Sequence, residues 1–388
     1  MIKNILTRIF YRITRELITF FVFQKPNRII FVQESCSGSN TYALYKLADK
    51  KTRSNYDLML VSGLPLKHSL YDFIKWHKII ASARIIFTTH MSVKPSKKHI
   101  HFQLWHGKPL KKVGVMEHGI KEKFMPSISW LNADFIMSYS ETYTTFLNAC
   151  MVTDPKKYII TGAPRNDLLL MSDGKKNLKT IFGEHVSNSK IIWFAPTFRD
   201  YFGQSQGNKS FKNPFGFEKF NAKEFDDFLD QQNCKIILKP HPQEEELMIQ
   251  YFKNYQVKNI LILKSLDLEK LGIDFYEVLN SGEILITDYS GIFYDFLLLD
   301  KPVLFTTVDI EQYEKDRGFL VESFNNYIPG PIILNQEKLM NEIIAINVNK
   351  IDNYKNQRDW MLKFQHRYTD SNSSKRIYDF INQEVFTN

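Results

Sequence analysis

The 388-residue sequence contains only three cysteines, Cys36, Cys150 and Cys234. They lie far apart and form no Cys-x-x-Cys pair. This spacing indicates neither a disulfide framework nor a zinc site, because both need cysteines at short, regular intervals. A reducing cytoplasm is therefore the simplest setting for the chain.

The sequence also lacks an apolar run that could cross a bilayer. Near the N-terminus the longest uncharged run is 17–24, well short of the roughly 20 residues that a membrane-spanning helix needs. No small-residue cleavage site follows it, as a secretory signal would require. We expect this segment to stay attached and cytoplasmic.

The same N-terminal segment has the pattern of an amphipathic helix. Apolar residues recur at helical spacing with basic residues between them; the apolar ones are Ile2, Ile5, Leu6, Ile9, Ile13 and Leu17, and the basic ones are Lys3, Arg8, Arg12 and Arg15. For residues 1–25 this pattern predicts a helix that lies in an anionic membrane surface. The alternative is an ordinary amphipathic helix that packs on the folded protein.

Several common catalytic motifs are missing. The sequence has no Gly-x-Gly-x-x-Gly after its first predicted strand, no Gly-x-x-x-x-Gly-Lys-Ser/Thr loop, no His-Glu-x-x-His and no Gly-x-Ser-x-Gly. His99 and His101 would share one strand face, but no carboxylate or thiol ligands accompany them, which argues against a metal site. No Asp-x-Asp pair lies in the predicted site either. We therefore expect a reaction that uses neither a metal nor another cofactor.

What the sequence does contain is typical of a folded globular protein with excess positive charge. Hydrophobic residues make up 44% and aromatic residues 14% of the chain, which excludes a disordered tail. Basic residues outnumber acidic ones by 51 to 42, so the net charge is +9. This balance suits an anionic membrane, phosphate-bearing substrates or nucleic acid. Since zinc-finger spacing and ribonucleoprotein motifs are absent, we do not expect nucleic acid.

Short apolar runs alternate with helical patterns along most of the chain. The predicted strands are 28–33, 57–63, 84–90, 100–107, 134–140 and 158–164 in the first half, and 190–196, 235–241, 259–264, 283–290 and 302–307 in the second. Apolar strands separated by helices indicate parallel sheets that are covered on both faces. The sequence therefore predicts an α/β protein.

The length predicts two domains, because a single hydrophobic core seldom grows beyond about 250–300 residues. Between 171 and 190 the apolar periodicity lapses, and glycine, serine, asparagine and lysine accumulate. We therefore place one domain at 26–180 and another at 181–388, and leave open that the last helix crosses back to the first. Ligands of such sheets bind at the carboxyl ends of the strands, so we expect the site in the cleft between the domains.

Polar side chains follow several predicted strands at their carboxyl ends. They are His106, Arg165, Arg199, Lys239, His241, Thr287 and Ser290. No single motif among them is decisive. Their common placement predicts that they lie together in the cleft.

Two histidines are the candidate catalytic residues. His106 lies in 105-WHGKPLKK-112, where clustered lysines favour its neutral, proton-accepting form, as a general base requires. His241 lies in Lys-Pro-His-Pro, and with Lys239 its imidazolium form would stabilise negative charge on a phosphate. The alternatives are a strand-end histidine bonded to a carbonyl for His106 and a plain rigid turn for His241.

The stretch 287-TDYSGIFYDF-296 joins a predicted buried strand to a predicted helix. Thr287, Ser290 and the amides that follow would stand at a helix N-terminus, where free N–H groups attract anions. Gly291 would let a ligand approach closely. The alternatives are that Ser290 only caps its own helix and that Asp288 pairs with an arginine.

Arg165 and Arg199 each stand near an aspartate and a proline. As ligand-binding residues they would hold a phosphate through two parallel hydrogen bonds. As structural residues they would pair with Asp167 and Asp200 instead. The sequence leaves both interpretations open.

Taken in order, these motifs resemble the CDP-glycerol:poly(glycerophosphate) glycerophosphotransferase family, which comprises teichoic-acid primases and polymerases and their ribitol-phosphate homologues. The resemblance extends from 29-IIFVQESCSGSNTYALY-45 to Arg376 and rests on the motifs QLWHGKPLKKVG, TGAPRND, APTFRD, KPHP, TDYSGIFYDF, RGF, PGPI and SSKRI. It implies a GT-B-like fold, in which two Rossmann-like domains have parallel sheets facing a central cleft. It also implies a monotopic protein, peripheral to the cytoplasmic face of the cell membrane.

The resemblance further implies a reaction. Glycerol phosphate or ribitol phosphate would pass from CDP-glycerol or CDP-ribitol to a hydroxyl of a lipid-linked or polysaccharide acceptor, releasing CMP, in teichoic-acid or capsule-like polymer synthesis. The domain at 26–180 would bind the acceptor and that at 181–388 the CDP-alcohol. By similarity His106 takes the acceptor proton and His241 steadies the diphosphate. The candidate substrate-binding residues are Gly107, Lys108, Arg165, Arg199, Lys239, Thr287, Asp288, Ser290 and Gly291.

Three departures from the family pattern concern the substrates. Lys108 replaces the usual threonine, Gly291 replaces a serine, and 370-DSNSSKR-376 replaces the usual DG-x-x-S-x-R ending. Lys108 would add a charge where the acceptor enters, and Gly291 removes a hydroxyl that would face phosphate. The sequence therefore leaves open the polyol, the acceptor, the number of units added and the oligomeric state.

Two other functions are compatible with the same sequence features. One is a GT-B glycosyltransferase that uses a sugar nucleotide, since the fold and the anion-binding helix would serve it equally. The other is a basic protein without activity that binds a membrane surface or a nucleic acid.

Overall fold

The computed structural model describes residues 2–33, 38–64, 68–90, 93–117, 132–201, 204–205, 207, 209 and 213–385, with 2–8, 200–201 and 204–205 described by their backbone alone. Among the residues singled out above, Cys36 and the side chains of Ile2, Lys3, Ile5, Leu6, Arg8 and Asp200 lie outside this description.

The first sheet is built from β1 Arg28–Gln33, β2 Asp57–Ser62, β3 Ile85–Thr88, β4 Ile100–Gln103, β5 Phe135–Ser138 and β6 Tyr158–Ile160. These strands are parallel and follow the order β2-β1-β3-β4-β5-β6. Side chains along β1 alternate between two cores, because Phe31 packs with Phe87 on one face and Ile30 packs with Ile86 on the other. Burial of both faces explains why the strands are apolar throughout.

The second sheet is built from β7 Lys190–Phe194, β10 Cys234–Leu238, β11 Ile260–Ile262, β12 Gly282–Thr287 and β13 Val303–Phe305, and a short antiparallel pair, β8 Asp200–Tyr201 and β9 Gln204–Ser205, follows β7. The five strands are parallel and follow the order β11-β10-β7-β12-β13. Trp193 and Leu285 pack on one face, and Phe194 and Ile286 on the other. Each of the eleven strands in the two parallel sheets lies in one of the predicted apolar runs, allowing one residue at the ends.

Helices cover the faces of both sheets. They are α1 Ile2–Phe21, α2 Asn40–Lys46, α3 Lys50–Asn55, α4 Leu70–Ala81, α5 Glu141–Met151, α6 Pro164–Met171, α7 Gly174–Phe182, α8 Ala222–Gln231, α9 Glu245–Lys253, α10 Ser265–Leu271, α11 Tyr276–Leu279, α12 Ile292–Phe296, α13 Ile310–Asp316, α14 Phe324–Tyr327, α15 Gln336–Asn347, α16 Lys355–Gln365 and α17 Ser373–Phe380. Short 3-10 turns lie at Gly114–Met116, Pro155–Lys157, Glu184–Val186 and Leu297–Leu299, and a π turn at Ile381–Val385.

The cores of the first sheet and those of the second sheet are not separated at a single point of the chain. Leu169 of α6 and Leu178 of α7 pack with Trp193, so the core of the second sheet begins upstream of residue 181. Near the other end of the chain, Ile377 of α17 and Ile381 are buried in the core of the first sheet. The last helix therefore packs with the first domain.

Helix α1 packs on α4 through only part of its surface. The Tyr11 ring contacts Phe73 with a centroid distance of 4.6 Å, and Ile18 is buried. Other apolar side chains remain about half exposed or more; they are Ile9, Phe10, Ile13, Leu17, Phe20 and Phe21. The members of the predicted apolar stripe whose side chains are described, Ile9, Ile13 and Leu17, are thus left largely uncovered. In the part of the chain that the structure describes, no helix combines the length and apolar character needed to span a membrane.

Candidate functional site

The loops after the carboxyl ends of both sheets line a cleft with two adjoining cavities of about 420 Å³ each. We call one the His241 arm, lined by Ser39, Thr89, His90, Lys239, His241 and Ser265, and the other the Lys111 arm, lined by Gly107, Leu110, Lys111, Val113, Thr197 and Arg317. The two arms meet at a set of residues that line both, among them His106, Arg165, Phe198, Tyr276 and Ser290. The structure thus brings His106, His241 and Ser290 together in one cleft.

The backbone around His106 is held by hydrogen bonds from several elements. Trp105 has a positive φ of 48°, a conformation that a bulky residue adopts only under constraint. Nδ2 of Asn40, in α2, donates to the Trp105 carbonyl at 2.9 Å, and the Arg165 guanidinium donates to the His106 carbonyl at 2.5 Å. These bonds fix the direction in which the loop after β4 presents the His106 side chain.

The His106 ring is exposed to the cleft and stacks on His90, with centroids 4.1 Å apart and planes 4° from parallel. Its Nδ1 lies 3.4 Å from the Thr89 carbonyl oxygen, which accepts only from a protonated Nδ1. Nε2 is then the basic nitrogen. Removal from bulk water between the cleft walls, and then the neighbouring His90, lower the pKa of His106 well below its ordinary value. A neutral ring with an accepting Nε2 has the properties of a general base.

His241 is exposed on the opposite wall of the cleft. Its ring stacks on Phe198 with a centroid distance of 4.0 Å, and Nδ1 accepts a long hydrogen bond of 3.4 Å from the amide of Gln243. Burial, followed by the charge of Lys239, lowers the pKa of His241. The predicted imidazolium form is therefore disfavoured unless a negative charge lies beside the ring.

The segment after β12 contributes one cavity-lining hydroxyl. Ser290 is partly buried and lines both arms. Thr287 is fully buried and donates its hydroxyl to the Ala195 carbonyl at 2.7 Å, so it lies behind the cavity wall. At Gly291 a Cβ atom would lie 2.8 Å from the Lys108 carbonyl oxygen. The absence of a side chain there admits the loop after β4. Gly291 also lines the Lys111 arm, and the close approach of a ligand to it stays a prediction.

Arg199 lies in a buried ionic network and not on the cavity wall. Its guanidinium donates to Asp288 at 3.0 Å and to Asp309 at 2.9 Å. Asp288 also accepts from the amide of Thr197 at 2.7 Å. Burial raises the pKa of Asp288, but the charges of Arg199 and Lys209 and the hydrogen bond from Thr197 together lower it by more. The pairing of Asp288 with an arginine agrees with the structural alternative given above. The other predicted alternative partner of Arg199, Asp200, has its side chain outside the described part of the structure.

Arg165 is buried between the two halves of the protein. Its guanidinium donates to Asp295 at 2.5 Å and lies over the Tyr276 ring, 4.8 Å from the centroid. Burial raises the pKa of Asp295, but Arg165, together with the smaller effects of His366, Lys108 and Tyr276, lowers it by more. Asp167, the predicted alternative partner, instead accepts from the amides at the start of α17. Arg165 thus holds the backbone of His106 in place through its hydrogen bond to the His106 carbonyl oxygen.

The two predicted substrate-binding lysines are bonded within the protein. Nζ of Lys108 donates to the Gln365 carbonyl and faces the rings of Tyr139 and Tyr294 at 4.7 and 5.3 Å. Burial lowers the pKa of Lys108 well below its ordinary value. Nζ of Lys239 donates to Ser265 at 3.0 Å and pairs with Glu245 at 3.3 Å. The Lys108 amine therefore does not add the charge that we predicted at an acceptor entrance.

Three basic residues that line the cleft, His90, Lys111 and Arg317, were not among the sequence candidates. His90 ends the predicted strand 84–90. The expectation that ligand-binding residues follow the carboxyl ends of strands, which we call the strand-end rule, could therefore have identified it. Lys111 belongs to the lysine run after His106, and Arg317 to the Arg-Gly-Phe motif, but neither follows a predicted strand directly. Asp309, the second partner of Arg199, follows the strand 302–307 and could also have been found by the rule.

The residues in the described part of the chain hold no group of three or more histidine, cysteine, aspartate or glutamate side chains arranged for a metal ion. His99 and His101 are used inside the first domain, where His99 Nε2 bonds with the Ala81 carbonyl at 3.0 Å and His101 Nε2 with the Thr88 hydroxyl at 2.9 Å. The metal-free reaction stays a prediction.

Sequence comparison relates the chain to one family. A sequence model of the CDP-Glycerol:Poly(glycerophosphate) glycerophosphotransferase family matches residues 14–383. The teichoic acid glycerol-phosphate primase of Bacillus subtilis (strain 168) is 26% identical over 94% of this chain and 91% of its own length. The teichoic acid ribitol-phosphate polymerase TarL of Staphylococcus aureus (strain NCTC 8325 / PS 47) is 24% identical over 92% of this chain and 63% of its own length.

Comparison with solved structures concerns the fold. The wall teichoic acid polymerase TagF superposes with a TM-score of 0.74 at 20% identity, covering 100% of this chain and 96% of that chain. The match and the two parallel sheets confirm the predicted GT-B-like arrangement around a central cleft.

Proposed function

The chain belongs to the CDP-glycerol:poly(glycerophosphate) glycerophosphotransferase family, as its motifs predict, and from this membership we propose the reaction that it catalyses. It is a transferase that moves glycerol phosphate or ribitol phosphate from a CDP-alcohol to a hydroxyl of a lipid-linked or polysaccharide acceptor. CMP is released, and the product is a teichoic-acid or capsule-like cell-surface polymer. The observation that carries the proposal is the cavity that His106, His241 and Ser290 line together.

The acceptor hydroxyl attacks the β-phosphorus of the CDP-alcohol. A P–O bond forms to the acceptor oxygen, and the bond from the same phosphorus to the bridging oxygen breaks, so CMP leaves with that oxygen. The hydroxyl proton passes to Nε2 of His106, because Nδ1 already donates to the Thr89 carbonyl. The lowered pKa of His106 keeps its ring neutral and able to accept this proton near neutral pH.

The diphosphate of the donor lies in the His241 arm. His241 and Ser290 line this arm, and Lys239 adds a positive charge at its wall. A diphosphate beside the ring raises the pKa of His241 again, since an opposite charge favours the imidazolium form. His241 then donates to the phosphate oxygens as negative charge develops on the departing CMP.

The N-terminal helix holds the enzyme at the cytoplasmic face of the membrane, as a peripheral protein. Its uncovered apolar side chains, such as Ile13 and Leu17, enter the membrane surface, and Arg12 and Arg15 meet anionic headgroups. This position brings the cleft close to a lipid-linked acceptor.

The proposal is tested by incubating the purified full chain with CDP-glycerol, CDP-ribitol and a panel of sugar nucleotides, with release of CMP or another nucleotide as the readout. CMP is expected from at least one CDP-alcohol. His106→Ala is expected to lower kcat by about 10²- to 10⁴-fold, the usual contribution of a general base. His241→Ala is expected to lower kcat as well, because charge on the leaving group is no longer compensated.

His185→Ala is the matched control, since His185 is exposed and lies outside both arms of the cleft. Turnover of a sugar nucleotide alone would contradict the proposal and favour the GT-B glycosyltransferase. Full turnover in either the His106 or the His241 variant would remove that residue from its role.

A further inference from the structure

The loop that carries His106 is joined to the second half of the chain at its far end. Residues 110–112 pair with 318–320 through two backbone hydrogen bonds of 3.0 and 3.1 Å. This pairing starts only at residue 110, so the segment between it and His106 needs other contacts to hold it. That segment contains Lys108.

The side chain of Lys108 reaches from this loop to the C-terminal end of helix α16. It is 6% exposed, and its Nζ donates to the carbonyl of Gln365, the last residue of α16. The final carbonyls of a helix have no partner within the helix, so they need donors from elsewhere when they are buried. A positively charged amine at this place also meets the negative end of the helix dipole. Lys108 therefore caps α16 and anchors the loop at the same time.

Two tyrosine rings, one from each half of the protein, face the Lys108 amine. Nζ lies 4.7 Å from the ring centroid of Tyr139, which follows β5, and 5.3 Å from that of Tyr294, in α12. The faces of such rings attract a cation. Burial lowers the pKa of Lys108 well below its ordinary value, and the charge of Asp295 opposes this effect. The amine is thus enclosed by groups of both halves.

The backbone of Lys108 is packed against the start of α12. A Cβ atom at Gly291, which directly precedes α12, would lie 2.8 Å from the Lys108 carbonyl oxygen. Because this distance is shorter than a normal contact, the loop occupies its position only with a glycine at 291. The amine on one side and this backbone contact on the other leave the loop little freedom to shift.

We propose that Lys108 is a positioning residue, which holds the loop after β4 so that the His106 ring lies against the Thr89 carbonyl. The inference rests on the proposed function, because it explains how the base of that reaction keeps its orientation. His106 stands two residues before Lys108. Its own bond from Nδ1 to the Thr89 carbonyl is 3.4 Å long and therefore weak. The ring consequently depends on its backbone for its direction.

The test replaces the amine and retains the apolar stem, as Lys108→Met does. We expect kcat for transfer from the CDP-alcohol to fall by roughly 10- to 100-fold, because misplacing reacting groups by about 1 Å costs on the order of 10²-fold. The KM for the CDP-alcohol should stay unchanged, since Lys108 does not line the His241 arm. Lys108→Arg retains a charged donor and should recover part of the lost kcat.

The pH profile separates positioning from an effect of charge. The pKa of His106 is lowered by burial and then by His90, so Lys108→Met should lower kcat without moving the acid limb of the profile. A displaced acid limb would overturn the inference, because Lys108 would then act on the base through its charge. A higher KM with an unchanged kcat would also overturn it, because the amine would then bind a substrate.

Lys112→Met is the matched control, since it makes the same substitution in the same loop and Lys112 lines neither arm. This variant should keep the wild-type kcat, and an equal loss in both variants would contradict a specific role of Lys108. Urea unfolding shows whether Lys108→Met is folded. If it is not, Lys108→Gln takes its place, because that side chain is too short to reach the Gln365 carbonyl.

Nitrogen-15 NMR of the histidine rings separates this inference from the proposed function. The His106 signals are assigned by comparison with His106→Ala, and the wild-type ring should carry its proton on Nδ1. Lys108→Met should mix the two tautomers, because the ring leaves the Thr89 carbonyl. Mixed tautomers without CMP release from any CDP-alcohol would support the positioning role and reject the reaction. CMP release with an unchanged tautomer and kcat in Lys108→Met would do the opposite.

Discussion

At the scale of single residues, the stacked pair of His106 and His90 influences the pH range in which His106 could act as the proposed base. A general base acts only in its neutral form, so activity is lost as the pH falls through its pKa. The pKa of His106 is lowered by removal from water and then by His90. In the proposed reaction His90 is therefore a positioning residue, because it acts through His106.

Replacing His90 by phenylalanine should raise the pKa of His106. The substitution retains an aromatic ring in the stack and removes the titratable neighbour. The acid limb of the kcat/KM profile against pH is therefore expected to move to higher pH. His185→Phe, far from the cleft, should leave the profile in place, and an unmoved profile in the His90 variant would show that the stack does not influence the base.

Arg199 has a role of a different kind, that of a buried counter-charge. Arg199→Ala leaves Asp288 and Asp309 buried without their cation, so we expect the free energy of unfolding to fall by about 3–5 kcal/mol. Urea unfolding measures this loss. Lys355→Ala, which breaks a solvent-exposed pair with Asp359, should cause no comparable change.

The strand-end rule located the residues of the site but not the direction of each side chain. His106, His241 and Ser290 line the cavity, whereas Thr287 and Arg199 point into the protein. The difference depends on partners that are remote in sequence, such as the Gln365 carbonyl for Lys108 and Asp309 for Arg199. Sequence spacing alone carries no information on those contacts.

At the scale of secondary-structure elements, helix α1 is attached to the protein by one face and leaves another uncovered. Tyr11 and Ile18 make the contact with the folded protein, while Ile13 and Leu17 are 51% and 53% exposed. Apolar side chains that remain exposed in a row along a helix favour binding to a surface outside the described chain.

Ile13→Asp combined with Leu17→Asp should weaken flotation of the full chain with vesicles that contain anionic lipid. The substitutions remove apolar burial and add negative charge, and both effects oppose binding to such vesicles. Glu16→Gln, on the same helix, should not weaken flotation. Unchanged flotation of the double variant would mean that α1 serves only to pack on α4.

The elements themselves were largely predictable, and their ends were less so. Each predicted strand is present because a sheet buried on both faces requires an unbroken apolar run. The run 100–107 nevertheless forms strand only at Ile100–Gln103, since the chain leaves the sheet to build the loop that carries His106. The proposed base His106 therefore follows directly after the point where the backbone pairing of β4 ends.

At the scale of the whole molecule, the C-terminal helix α17 packs into the hydrophobic core of the first sheet. Ile377 and Ile381 pack with Phe31 and Phe102 of the first sheet. From the sequence it was open whether the last helix crosses back to the first domain, because an amphipathic pattern does not specify which of two sheets a helix covers. The first half consequently needs the last helix for a closed core.

Ile377→Ala should lower the free energy of unfolding by about 2–5 kcal/mol, the usual cost of truncating a fully buried isoleucine. Chemical unfolding followed by circular dichroism measures the effect. Lys375→Ala, at an exposed position of the same helix, should change stability little. A loss no larger than that of the control would show that the first domain is complete without α17.

The backbone pairing of 110–112 with 318–320 also affects how substrates enter and leave. Since these bonds, and the pair of Arg165 with Asp295, already join the two lobes, the active centre is shaped before anything binds. Little conformational change is then needed when a ligand binds, so we expect the proposed substrates and products to enter and leave through the existing openings, without wide hinge movement.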